Sequence, residues 1–212
     1  YVVFDNLPTG TYTVTESDLS GYHQVSTTCE NVEVWSANST IDDMPTCEFH
    51  NAHDEGDLTI HKEVDVDGDG DIDLYDPADW TWNLDGGDQN YAMGDTQTVL
   101  TGIHTVSENQ QADYHSAGWY CNDGTSGSGE ELTVDVTTEG ISCTFTNVRD
   151  TGSLKVIKYV DSGDATPDQW SFTIDGYGTL TPAEGEDYVV FDNLPTGTYT
   201  VTESDLSGYH QV

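Results

Sequence analysis

The chain contains three lysines, Lys62, Lys155 and Lys158, and two of them end apolar rows. Alternate residues of a β-strand share a face. Leu58, Ile60 and Lys62 of GDLTIHKEVD therefore line up, as do Leu154, Val156 and Lys158 of GSLKVIKYVD. The same spacing groups His104, Val106 and Glu108, and likewise Tyr12, Val14 and Glu16. It also groups Cys143, Phe145 and Asn147, and Cys47, Phe49 and Asn51. A Lys, a Glu and an Asn are thus expected to point inward from three strands. Burying a lone ammonium or carboxylate is costly unless it is paired or neutralised. Burial lowers the pKa of Lys and raises that of Glu. A neutral amine beside an Asn side chain can attack its carbonyl, with a protonated Glu polarising that carbonyl and moving protons. Ammonia leaves, and an amide joins the first strand to the last. The alternative is an ion pair with Asn as hydrogen-bond partner, but an unreacted charged triad makes the more expensive core. The reaction runs once, so the chain is expected to be no enzyme in the turnover sense.

The strands that must hold these groups are organised by repetition. YVVFDNLPTGTYTVTESDLSGYHQV fills positions 1–25 and returns without a substitution at 188–212, an offset of 187 residues. This is the signature of a tandem array, and the chain reads as an internal window of one. A weaker repeat lies inside that period. GDLTIHKEVD aligns with GSLKVIKYVD, DWTWNLDG with QWSFTIDG, TGIHTVSE with TGTYTVTE, and CTFTN with CEFHN. The expected division is 1–55 as the second half of a domain A, 56–151 as a complete domain B, and 152–212 as the first half of the next domain A. Domains of about 90 to 100 residues are the usual size of a β-sandwich. Linkers this short favour a stiff rod.

Composition agrees with an all-β chain in a cation-rich or extracellular setting. Forty acidic residues face four basic ones, for a formal net charge of −36. That excludes nucleic acid and anionic membrane surfaces as partners, since both select Lys and Arg. Thr, Val, Tyr, Gly and Asp dominate, and no stretch keeps a 3.6-residue apolar period. No apolar run is long enough to insert into a bilayer as a helix.

A Lys on the first strand, then Y-x-V-x-E followed by Gly-Tyr (Tyr12 to Glu16, then Gly21 and Tyr22), then a closing F-x-N resembles the Cna B-type, or prealbumin-like, domains of microbial surface proteins. Pilin shafts and adhesin stalks contain such domains. The resemblance covers essentially the whole chain. It implies a transthyretin-like sandwich with an internal Lys–Asn isopeptide bond. Carried over, domain B would use Lys62, Asn147 and the promoting Glu108. In domain A, Lys158 and Glu203 form one part of a set whose Asn would lie in the next copy of the repeat, and Glu16 with Asn51 are the complementary part. Domain B departs from the pattern with His104 in place of Tyr and with ADYH in place of SGYH.

Repetition also orders the cysteines. Tyr22 precedes Cys29, and Tyr114 precedes Cys121, by the same seven residues, and Cys47 matches Cys143. Of the three possible pairings, the repeat selects Cys29–Cys47 and Cys121–Cys143. Loops of this length are each worth roughly 3 kcal/mol in the chain-entropy model, and disulfides indicate an oxidising, extracytoplasmic location.

DVDGDGDIDLYD, from Asp65 to Asp76, has the spacing of a calcium loop. Asp65, Asp67 and Asp69 take its first, third and fifth positions, Gly70 the sharp turn, Asp71 a carbonyl position, and Asp73 and Asp76 the ninth and twelfth. Without a cation, carboxylates this crowded repel one another, so Ca²⁺ is the expected ligand. Asp at the twelfth position, where Glu is usual, and strands in place of flanking helices depart from the helical version of that loop.

Trp80 and Trp82 alternate with Leu84, as Trp170 does with Phe172 and Ile174, which places them in cores. Asn38 begins an N-S-T acceptor pattern for a glycan. The expected role is a structural segment of an extracellular filament or surface adhesin stalk. Its partners would be neighbouring copies of the repeat and laterally packed identical chains. The alternative is a ligand- or glycan-binding repeat that gains avidity by repetition.

Overall fold

The computed structural model describes residues 1–35 and 41–211. Among them, regular structure is β-strand, with two 3₁₀ turns at Ile41–Asp43 and Pro167–Gln169. No helix is long and apolar enough to cross a membrane. The backbone groups into two compact units. One is Tyr1–Leu58 with Thr96–His104 and Val134–Ile141; the other is Thr59–Asp95 with Thr105–Thr133 and Ser142–Val212.

Four strands precede the middle segment: β1 (Gly10–Tyr12), β2 (Tyr22–Thr27), β3 (Val32–Val34) and β4 (Phe49–His53). They pair antiparallel as β1–β3 and β2–β4, with Gln24 opposite Asn51.

The middle segment begins with β5 (Glu55–Asp65), β6 (Leu74–Tyr75), β7 (Thr81–Leu84), β8 (Tyr91–Ala92) and β9 (Thr96–Leu100). It continues with β10 (Gly102–Glu108), β11 (Tyr114–Cys121), β12 (Ser126–Gly127), β13 (Glu131–Val136) and β14 (Ile141–Arg149). One sheet runs β13-β10-β7-β8 and the other β12-β11-β14-β5-β6, with β9 also on β5. Burial follows the period of two that the sequence carries. Leu58, Ile60, Lys62 and Val64 are buried on β5; Cys143, Phe145 and Asn147 on β14; Val106 and Glu108 on β10; and Leu132, Val134 and Val136 on β13. Trp82 of β7 is fully buried in the same way. Each sheet therefore has one apolar face. Contact between β5 and β10 side chains, described below, shows that two of these faces meet.

Five strands follow: β15 (Thr151–Ile157), β16 (Phe172–Ile174), β17 (Gly178–Leu180), β18 (Tyr188–Pro195) and β19 (Val201–Glu203). β15 pairs with β18, and β16 lies between β17 and β19. Trp170, Phe172, Ile174, Val189, Phe191 and Leu194 form the core, with Leu154, Val156 and Val201 half-buried against it.

Candidate cross-link site and acidic loop

Lys62 and Glu108 come from the two opposed sheets; Glu108 ends the row of β10, whereas the row of β5 runs one step past Lys62 to the buried Val64, because β5 extends to Asp65. Lys62 Nζ lies 2.7 Å from Glu108 Oε1, and neither side chain is exposed to solvent. The ammonium also donates to the Phe145 carbonyl at 3.4 Å and sits 4.4 Å from the centre of the Trp80 ring. Phe145 is two residues before Asn147 on the buried face of β14, so the amine and the Asn side chain share one dry compartment. Asn147 Nδ2 donates to Gln110 Oε1 at 2.8 Å, and Gln110 is held in turn by donation to the Tyr114 carbonyl at 2.5 Å. Asn147 Oδ1 is buried without a hydrogen-bond partner. Glu108 is the carboxyl nearest to hand, and hydrogen bonding with Asn147 favours its ionised form.

Burial shifts both groups of the pair in the direction of their neutral forms. Desolvation pushes the Lys62 amine below its ordinary 10.5, outweighing the raising effect of Glu108. Desolvation also pushes Glu108 above 4.5, outweighing the lowering effect of Lys62 and of hydrogen bonding with Asn147. Burial thus drives the pair towards amine and carboxylic acid, the two forms that amide exchange requires. Trp80 covers the Lys62 side chain with the face of its ring, a contact that suits the cation. Two aligned Trp residues, Trp80 and Trp170, were a sequence signal of this, although alternation alone made them simply core. Gln110 left no such signal, because Asp18 and Asp205 stand at its place in the other copies.

The remaining predicted residues form two partial sets. Lys158 Nζ lies 2.5 Å from Glu203 Oε1, with the side chains 17% and 16% exposed, and 4.3 Å from the centre of the Trp170 ring. Asn51 Nδ2 donates to Glu16 Oε2 at 2.8 Å on the surface. The His104 departure keeps the local geometry. Tyr12 and Tyr199 donate to the carbonyls of Pro8 and Pro195, four residues earlier, and His104 Nε2 donates likewise to Leu100 at 2.7 Å.

Both expected disulfides are present, Cys29–Cys47 and Cys121–Cys143, and no described cysteine is free. The second joins directly opposed residues of β11 and β14.

The acidic loop leaves β5 at Asp65 and brings Asp65, Asp67 and Asp73 together, one carboxylate oxygen from each lying within 4.8 Å of the others. Asp65 is buried, and it accepts from the N–H groups of Gly68 at 2.6 Å and Gly70 at 2.8 Å. Both glycines have positive φ, 76° and 102°, a conformation that side chains disfavour. Burial raises the Asp65 carboxyl, but these N–H donors outweigh it and hold the group below its ordinary value. Asp67 is pushed up, by desolvation and by the charges of Asp69, Asp73 and Asp65. A cluster of hard oxygens with unrelieved like charge suits a divalent cation. Asp69 and Asp71 stand outside the triad; Asp69 accepts from the Asp71 N–H at 2.9 Å. Asp76 is engaged elsewhere, accepting from the Lys62 N–H at 2.7 Å and pairing with His61 at 2.8 Å. It therefore braces β5 at Lys62.

Asn38 lies outside the described residues. Trp119 packs against Gly127, where an added Cβ would meet its ring at 2.5 Å. Trp35 is exposed at a shallow cleft lined by Thr28, Asn31, Val32, Met44 and Pro45. His23 and His115 pair with Asp54 and Asp150, each at 2.7 Å, so both copies tie this turn to the following linker.

A two-sheet sandwich with a buried Lys–Glu–Asn cluster and a cross-strand disulfide defines a class of self-bracing β-domain. The model of the prealbumin-like fold domain of the SpaA type matches residues 53–145 and 150–212, and the chain belongs to that family. No curated protein matches the chain.

Proposed function

We propose that this chain is a load-bearing segment of an extracellular filament or surface stalk, in which each prealbumin-like domain is closed by a Lys–Asn amide. The observation that supports it is the dry cluster of Lys62, Glu108 and Asn147, in which burial favours the neutral, reactive forms of amine and acid. Lys62 Nζ attacks Asn147 Cγ, the Cγ–Nδ2 bond breaks, and Glu108 carries the proton to the departing ammonia. An amide between first and last strands passes tension across the sandwich without unfolding it. The Cys121–Cys143 disulfide and a calcium ion held by Asp65, Asp67 and Asp73 brace the same domain, and disulfide pairing supports a location outside the cytoplasm. Intact-mass measurement of the chain tests the bond. The domain spanning 56–151 is expected to be lighter by one ammonia, with Lys62 and Asn147 in one cross-linked peptide; the full unreacted mass refutes it.

The exposed Trp35 beside its cleft supports ligand or glycan binding as a second reading. Glycan-array binding abolished by Trp35→Ala would establish it.

A further inference from the structure

Two aspartates carry the chain from one sheet to another. Asp54 is the single residue between β4 and β5, and Asp150 the single residue between β14 and β15. Each joins strands of different sheets: β4 lies on β2 and β15 on β18, whereas β5 and β14 share the sheet β12-β11-β14-β5-β6. A connection of one residue can still swivel about its two soft dihedrals unless its own groups are tied. Here they are. The Asp54 N–H donates to the Gly21 carbonyl at 2.8 Å, its carboxylate pairs with His23 Nδ1 at 2.7 Å, and its carbonyl accepts from the Thr101 N–H at 2.9 Å. The Asp150 N–H donates to the Asp113 carbonyl at 2.8 Å, its carboxylate pairs with His115 Nδ1 at 2.7 Å, and its carbonyl accepts from the Thr196 N–H at 2.8 Å.

The partners are equivalent by the internal repeat and lie on both sides of each connection. GYH at 21–23 aligns with DYH at 113–115, and Thr101 of TGIHTVSE with Thr196 of TGTYTVTE. The first group opens β2 or β11, the strand paired with the one being left. The second follows β9 or β18, the strand paired with the one being entered. Gly21 and Asp113 share a left-handed backbone, with φ of 80° and 66°. The residue before each Asp fills one place with different chemistry. His53 packs edge-on against Tyr22, with ring centres 4.6 Å apart, and Arg149 lies 5.9 Å from the centre of the Tyr114 ring. Arg149 Nη2 donates to the Thr196 carbonyl at 2.8 Å, across the connection, whereas His53 Nδ1 donates to the adjacent Asp54 carbonyl at 2.9 Å. Gly68 also flanks the second connection, where an added Cβ would meet Thr151 Cγ2 at 2.6 Å.

We propose that Asp54 and Asp150 lock these two connections, so that each works as a rigid joint and not as a hinge. A lock needs a hold on both sides, and one aspartate supplies it. Its N–H and carboxylate grip the turn behind, and its carbonyl grips the strand end ahead. The partners are remote in sequence, so their duplication is not a property of local turns. The two joints are unequal, because Arg149 gives the second a further bond across the connection. The locks stand apart from the Lys62–Asn147 amide and do not depend on it.

Hydrogen exchange followed amide by amide in the 212-residue chain tests this, because the Thr101 and Thr196 N–H groups donate to the two locks. Both should be protected in the parent. Asp54→Ala should speed exchange at Thr101 and leave Thr196 unchanged, and Asp150→Ala the reverse, by about fivefold, the upper range for a largely exposed pair. Thr101 should respond more strongly than Thr196, and adding Arg149→Ala should remove that difference. The Val106 and Phe145 amides report whether the core stays intact. Where an Asp variant disturbs it, His23→Ala and His115→Ala, at exposed positions, read the same amides with the aspartate backbone unaltered. Thr amides that are unprotected in the parent, or indifferent to loss of both Asp and His, overturn the locks. Equal responses at the two joints overturn their ranking. Intact mass reads the Lys62–Asn147 linkage separately, so the failure of one idea is not mistaken for that of the other.

Discussion

Lys62 Nζ and Glu108 Oε1 lie 2.7 Å apart, on opposed sheets and with no solvent reaching either side chain. Desolvation outweighs their mutual attraction, lowering the Lys62 pKa and raising that of Glu108.

Asn147→Ala removes the electrophile and leaves amine and acid in place. The variant should keep its full mass. A link from residue 62 to 147 closes a loop of 85 residues, worth about 4.5 kcal/mol in the chain-entropy model. Denaturant midpoints of the variant and the parent measure this difference.

The pH dependence of that variant should separate the two states. Between its depressed folded value and 10.5, Lys62 binds fewer protons folded than unfolded, so stability rises with pH through that window. Glu108 acts oppositely: its folded value is raised, so its contribution is fully present below 4.5 and is lost as pH rises through the folded value. In the linked chain Lys62 no longer titrates, and only the Glu108 loss remains. Melting temperatures taken from pH 4 to pH 10 should show the alkaline rise in Asn147→Ala and none in the parent.

Gln110→Ala should slow the linkage without abolishing it, because Asn147 Nδ2 loses the partner that fixes its orientation. A barrier increase of ~1.4 kcal/mol corresponds to about tenfold in rate. Mass measured over time on refolded, initially unlinked chain reads this. An unchanged rate would remove Gln110 from the positioning role.

Calcium should raise the melting temperature, and a chelator should reverse it. Saturation at a hundredfold over Kd stabilises by about 2.7 kcal/mol. Asp67→Ala should lose the response, since it removes one corner of the triad. Asp76→Asn should largely keep it, because that side chain bonds β5. If Asp76→Asn proves the more damaging to the calcium response, the triad is not the site.

Reduction of Cys121–Cys143 should cost roughly 3 kcal/mol in the chain-entropy model and leave the linked mass unchanged. Cys143 is fully buried, so reduction should require partial denaturation. Rapid reduction of the native chain would indicate a more open β11–β14 pair.

Much of this molecule was legible without coordinates. The inward placement of Lys62, Glu108 and Asn147, and both disulfide pairings, followed from alternation and self-similarity, and the structure buries or bonds each of them, although the row of β5 continues past Lys62 to Val64. The loop reading was coarser. Its spacing placed six aspartates around one ion, whereas three converge and Asp76 turns to His61 and to the β5 backbone. Which carboxylates converge depends on the path of a loop between β5 and β6, and spacing does not specify that path.

The sequence alone determined which way each strand faces, because side-chain direction in a strand is a local property with a period of two. Only tertiary structure decided what those side chains meet. Lys62 finds Glu108 across 46 positions, with Trp80 over the amine and Gln110 behind the Asn. Contacts of that range depend on how two sheets stack. The identical segments 1–25 and 188–212 make the point within one chain, since the same residues are buried or exposed according to whether a strand lies beside them.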